Sequence, residues 1–308
     1  MSHTFGWRIP LASGDAIKLS ASHARMNPQL SGGLSSPGLN LGFSAFYEMQ
    51  LPPVLLAIFR GARQDLSIGY EFKRSNNNLS FGGITVQSGF SEVSQFALRY
   101  TITSGGADGL TTLQIGTYLS PGGMTAGNTD AAFQPSGTER SGMPGARARY
   151  AYNRTALSRQ IPLSENLELF LRASGQAASG TVLGSEQLSI AGSDAVRGYR
   201  EFARAGSLGV VLGAELRGPP IALLSRLIPS LPGDVLKPHL FVDGGHGWNP
   251  IASGSAPARQ RTASFGIGAQ YNLGRSLNLR LEQGWQLVRD QSKGADGAFL
   301  HVAMTATW

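Results

Sequence analysis

The chain has 308 residues, no cysteine, 41 glycines, 15% charged residues and a formal net charge of +7. The lack of cysteine excludes a disulfide or thiolate–metal framework, and abundant glycine at low charge favours strands and turns over helices. Basic residues are scattered singly instead of forming a run or one helix face, so nucleic acid is not an expected partner despite the basic balance. No stretch approaches the about 18 to 20 uninterrupted apolar residues that a membrane-spanning helix needs. Met1 to Leu11 lacks the basic start and apolar core of a secretory signal.

Taken in order, the chain yields segment after segment of period-two alternation, each about the ten residues of a tilted membrane strand. Phe5, Trp7, Ile9 and Leu11 alternate with Gly6 and Arg8, and a Ser13-Gly14 turn leads to Ile17, Leu19 and Ala21 against Lys18, Ser20 and Ser22. Leu41 to Gln50, Leu66 to Lys73, Gln95 to Thr103 and Leu113 to Gly116 repeat the pattern. A long polar loop, Pro121 to Gly145, precedes Ala146, Ala148, Tyr150 and Tyr152, which are expected to form an apolar face opposing Arg147, Arg149 and Asn153. Leu167 to Gln176 follows, then a loop from about Ser179 to Gly206, and Ser207 to Arg217. Leu240 to Gly247, Ser264 to Leu273, Leu277 to Gln286 and Leu300 to Trp308 complete the series.

A soluble sandwich also alternates, so the period alone does not decide. Here the polar face carries Lys, Arg, Glu and Gln on nearly every strand, which suits a watery lumen, while the opposite face suits hydrocarbon. Trp7, Tyr47, Tyr100, Tyr271, Trp285 and Trp308 are candidate members of interfacial aromatic girdles. Long polar loops near 26–38, 77–90, 121–144, 179–206, 248–260 and 289–297 alternate with mostly shorter joins at 12–14, 105–109, 158–166 and 273–275. The apolar joins Pro52 to Gly61 and Gly218 to Lys237 are expected to be enlarged turns, each with room for a short helix. The expected fold class is therefore all-β, an antiparallel transmembrane β-barrel closed to leave no edge in lipid.

Two stretches carry a possible site. Gly192 to Phe202 is a loop sequence with Arg197 between Val196 and Gly198, and Phe241, Asp243 and Gly245 share one face of the Leu240 strand. A guanidinium fork matches a carboxylate bidentately, so Arg197 and Asp243 could pin the loop inside a barrel. By residue chemistry alone the alternative stays open: Arg197 a solvated loop charge, Asp243-Gly244 the start of a turn.

Val196-Arg197-Gly198-Tyr199 resembles the V-R-G-[FY] tetrad, and Phe241-Val242-Asp243-Gly244-Gly245 resembles the F-x-D-x-G motif, of the outer-membrane superfamily of BamA insertases and two-partner secretion transporters. Ser185 to Ser193 is more similar to the haemolysin-activator branch (TpsB, ShlB/FhaC/HecB type). The resemblance implies an outer-membrane transporter that exports a large unfolded exoprotein of the TpsA type, such as an adhesin or haemolysin. It implies that Arg197 reaches into the lumen to pair with Asp243, and that the terminal Trp308 is an insertion signal read by the outer-membrane assembly machinery. It further implies that residues 1–308 form one barrel domain, holding about thirteen of roughly sixteen strands, with the first strands and the POTRA domains lying outside it. A BamA-like insertase and a simple diffusion porin are the alternatives.

Nothing points to catalysis or a cofactor: the chain has no G-x-S-x-G elbow, no phosphate-cradling loop with lysine and no H-E-x-x-H. His3, His23, His239, His246 and His301 are dispersed, and His239 and His246 fall on opposite strand faces, so no metal site is expected. Each histidine is read as surface or lumen filler.

Overall fold

Period-two patterning dictates strands, and the computed structural model shows them. It describes residues 1–26, 34–35, 38–52, 61–77, 79–81, 84–87, 89–134, 142–225, 228, 233–251, 258–289 and 297–307. The large sheet has thirteen antiparallel strands in strict sequence order. They are β1 (Ser2–Pro10), β2 (Ala16–Met26), β3 (Gly38–Leu51), β4 (Arg63–Asn77), β5 (Phe90–Gly106), β6 (Gly109–Pro121) and β7 (Arg149–Ser164). They continue as β8 (Leu167–Ala178), β9 (Leu208–Arg217), β10 (Asp234–Trp248), β11 (Arg259–Leu273), β12 (Leu277–Gln286) and β13 (Ala298–Ala306).

Burial is inverted relative to a soluble protein. Phe5, Trp7, Ile68, Phe96, Leu98, Leu212, Leu240, Val242, Ile267, Leu300 and Val302 are exposed, while Glu71, Gln95, Gln176, Glu215, Asp243, Ser264 and Glu282 are buried on the other face. Only a hydrocarbon solvent makes that arrangement favourable. No helix among the described residues is long and apolar enough to cross a membrane, a test that does not bear on strands.

Short turns collect at one end of the sheet, where β7 and β8 are joined by residues 165–166 alone, nearer the strand ends than the expected 158–166 join. Trp7, Tyr47, Tyr100 and Tyr271 lie toward this end, whereas Trp285 lies at the other, stacked on Phe265 with centroids 5.6 Å apart. Trp308 and residues 53–60 lie outside the described residues. In the 218–237 join, the Asp234 carboxylate accepts the backbone N–H groups of Leu223, Leu224 and Ser225 at 2.8 to 3.0 Å. The described part of that join has no helix.

Two expectations differ from the structure. Ala146, Ala148, Tyr150 and Tyr152 do not face lipid but are buried on the inner side, packed with Phe133, Val182, Leu183 and Val93. The strand starts at Arg149, and its outward register is Ala151, Asn153, Thr155 and Leu157. The aromatic residues were available to fill the space beneath a loop, which alternation alone does not reveal. Among the described residues the sheet is also open: β1 and β13 are its two edges and do not pair with each other.

Candidate functional site

The 179–206 loop leaves β8, forms a single turn at Gly184–Glu186, and is stapled at its neck by a two-residue ladder, Leu188–Ser189 with Ala205–Gly206. Beyond the neck the chain turns inward. Gly192 and Gly198 have φ of +118° and +87°, values open to glycine at little steric cost. Ile190, Ala191, Ala195, Val196 and Tyr199 pack into a buried cluster with Val211 of β9.

Arg197 is wholly buried at the tip. It donates from Nε to Asp243 Oδ2 (2.7 Å) and from Nη2 to Asp243 Oδ1 (2.9 Å), the bidentate pairing the sequence suggested. Nη1 donates to Glu215 Oε1 and Glu282 Oε1, both at 2.7 Å. The guanidinium carbon lies 3.6 Å from the centroid of Phe241. One arginine thereby joins the inner faces of β9, β10 and β12. Burial acts to lower the Arg197 pKa, but the hydrogen bonds and charge of Asp243, then Glu215 and Glu282, raise it above the ordinary arginine value. The group is a permanent cation.

The surrounding charges balance. Arg172 donates to Asp243 Oδ1 (3.0 Å) and to the carbonyls of Asp194 and Ala195 at 2.9 and 2.5 Å. Arg217 joins Glu215 to Glu168, and Arg280 donates to Glu282 Oε1 at 2.9 Å. Buried ions persist only when paired and hydrogen-bonded, and stranding one costs about 3 to 5 kcal/mol.

The remaining motif residues have steric roles. A Cβ on Gly245 would sit 2.6 Å from Thr262 Oγ1 and 3.1 Å from both Ile190 Cβ and Val196 Cγ2, so glycine lets the loop lie on the strand. Gly198 meets Gly284 of β12 backbone to backbone, and a Cβ on Gly284 would be 2.6 Å from Gly198 N. The Tyr199 hydroxyl donates its one proton to the Val288 carbonyl (2.5 Å), lies 3.0 Å from the Ala263 carbonyl and accepts from Ala263 N (3.1 Å).

The structure thus brings Val196, Arg197, Gly198, Tyr199, Phe241, Asp243 and Gly245 together. The sequence reading missed Glu215, Glu282 and Arg172, and two histidines do more than fill space. His239 Nε2 lies 3.0 Å from Glu282 Oε1, and His301 Nε2 accepts from Gly198 N at 3.2 Å. A charged residue on the inner parity of a strand was the available signal, but many strands carry one. Below the loop lies a polar cavity of about 670 Å³ whose lining includes Glu168, Arg172, Glu215, Arg217, Lys237 and Arg280. No cluster suited to a metal ion occurs among the described residues.

An outward-apolar antiparallel sheet curved around an arginine-tipped loop defines a β-barrel membrane protein of the outer-membrane type. The profile of the haemolysin secretion/activation protein ShlB/FhaC/HecB family matches residues 7–271, and the chain belongs to that family. CdiB from Escherichia coli has a similar fold (TM-score 0.72, 18% identity), covering 99% of this chain and 53% of that one. BamA from Haemophilus ducreyi lacking POTRA domains 1–3 is similar at TM-score 0.62 and 13% identity, covering 99% and 62%. CdiB from Acinetobacter baumannii is similar at 0.61 and 14%, covering 99% and 50%. The chain therefore spans between half and two thirds of the length of these solved structures. No curated protein gives a significant match.

Proposed function

We propose that the chain is the pore-bearing part of a two-partner secretion transporter in the bacterial outer membrane, exporting a large unfolded exoprotein of adhesin or haemolysin type. The observation that carries the reading is the Arg197 clamp: a loop arginine desolvated inside the lumen on three carboxylates from three strands. The family match supports it. An extended polypeptide needs a path whose charges do not hold it, and the cavity below the loop offers alternating carboxylates and guanidinium groups. No catalytic step, cofactor or nucleotide enters this mechanism. In the same reading the open edges of β1 and β13 pair with further strands in the functional barrel, because unpaired backbone groups in hydrocarbon cost several kcal/mol each. Assembly machinery of the outer membrane inserts it.

The test is Arg197→Ala in the intact transporter, with secretion of the exoprotein and heat-modifiable migration measured side by side. The expected result is normal insertion with secretion reduced at least about tenfold, the ratio that about 1.4 kcal/mol produces. Wild-type secretion would remove Arg197 from the mechanism.

A further inference from the structure

The loop is gripped a second time, at its root. Glu186 is 1% exposed, yet it ends no helix of consequence and belongs to neither the tetrad nor its partner strand. Its carboxylate accepts from Lys73 Nζ at 3.0 and 3.3 Å, from the Tyr152 hydroxyl at 2.7 Å and from Gln95 Nε2 at 3.2 Å. These donors come from β4, β7 and β5. Gln95 is itself held by the Tyr150 hydroxyl (2.8 Å) and donates to Glu71 (3.0 Å), which Arg99 pairs. The main-chain carbonyl of Glu186 accepts from Arg154 Nη2 (3.0 Å) and Gln176 Nε2 (2.9 Å).

A carboxylate this deep is an expensive way to fill space, since an apolar side chain of similar volume packs there without desolvating a charge. What the charge provides is direction: three donors from three strands specify one position for the root of the loop. The Arg197 side-chain contacts fall on β9, β10 and β12, the Glu186 carboxylate contacts on β4, β5 and β7, and β8, whose Gln176 reaches the Glu186 carbonyl, lies between the two sets in the sheet. The loop is therefore a strap fastened to two arcs of the wall.

We infer that Glu186 is a second positioning residue for the lumenal loop, and that moving the loop aside requires release at Glu186 as well as at Arg197. The inference deepens the pore reading and rests on it for its consequence, but the anchoring itself can be measured independently. Because the chain has no cysteine, one cysteine at Ser185 and one at Thr117 of β6 can carry spin labels in the intact protein reconstituted in lipid. The distance distribution is read beside single-channel recordings for wild type, Glu186→Ala, Lys73→Glu, the swapped pair Lys73→Glu with Glu186→Lys, and Arg197→Ala.

The expected result is a narrow distribution in wild type and in Arg197→Ala, and a broad one in Glu186→Ala and Lys73→Glu. The swapped pair should return it toward narrow, which a general loss of packing would not do. Opening frequency should rise at least about tenfold in Glu186→Ala and further in the Glu186→Ala, Arg197→Ala double variant. Tyr152→Phe keeps the ring and removes one donor, so it carries the same test at smaller amplitude should Glu186→Ala fail to insert. A narrow distribution in both Glu186→Ala and Tyr152→Phe overturns the anchor. Broad distributions with no channel in any variant leave the anchor standing and overturn the pore.

Discussion

The guanidinium of Arg197 lies against the ring of Phe241, 3.6 Å from its centroid, while its edge pairs with Asp243 two residues along the same strand face. Because alternate residues of a strand point the same way, Phe241 and Asp243 receive one cation from below and from the side. Phe241 in turn can lie flat because Gly266 stands beside it on β11, where a Cβ would overlap the ring. The motif therefore reads as a seat: an aromatic base, an acidic side, and glycines where the loop and the ring need room.

Arg197→Lys tests the seat. A single ammonium cannot serve Asp243 bidentately while reaching Glu215 and Glu282, and it forfeits at least one charge-assisted hydrogen bond, about 1.5 to 3 kcal/mol. Secretion by the lysine variant should fall to about a tenth of wild type or less, with insertion unchanged. Full secretion would show that charge alone suffices.

Phe241→Leu isolates the stacking. It keeps an apolar side chain of similar burial but removes the ring quadrupole, worth about 0.5 to 2 kcal/mol. The expected outcome is a partial secretion defect, smaller than that of Arg197→Lys, scored in the same assay.

Gly284→Ala tests the close approach of loop and wall. The added Cβ would lie 2.6 Å from Gly198 N and 3.0 Å from Arg197 C, backbone atoms that cannot swing aside. Overpacking of this kind costs about 1 to 3 kcal/mol, so the loop should sit higher and the unfolding midpoint should drop in heat-modifiability gels. An unchanged midpoint with unchanged channel behaviour would mean the contact is slack.

The two faces of β11 should respond oppositely to charge. Ile267 is exposed on the outer face and Gln270 lies on the inner, lining the polar cavity. Ile267→Arg should impair membrane integration by about 2 to 4 kcal/mol, the midplane cost, while Gln270→Arg should leave it untouched. Urea titration of folded protein in lipid vesicles measures both; equal effects would contradict the assignment of the lipid face.

The sequence by itself determined the strand count, the strand order and, on most strands, which side meets lipid. These follow from a local rule, since side chains alternate along a strand whatever else the chain does. The Arg197–Asp243 pairing it offered only through the resemblance of two motifs, since residue chemistry left a solvated arginine equally open; the bidentate contact itself is a tertiary fact. Tertiary structure alone decided the rest. Glu215 and Glu282 meet Arg197 because register aligns Gly213 with Asp243 and brings β12 alongside, a relation between residues far apart in the chain. Tyr150 and Tyr152 turned inward because a loop needed packing beneath it, and Glu186 became an anchor because Lys73, Gln95 and Tyr152 converge there. Alternation specifies a face, but where faces converge depends on how the sheet bends around what it encloses.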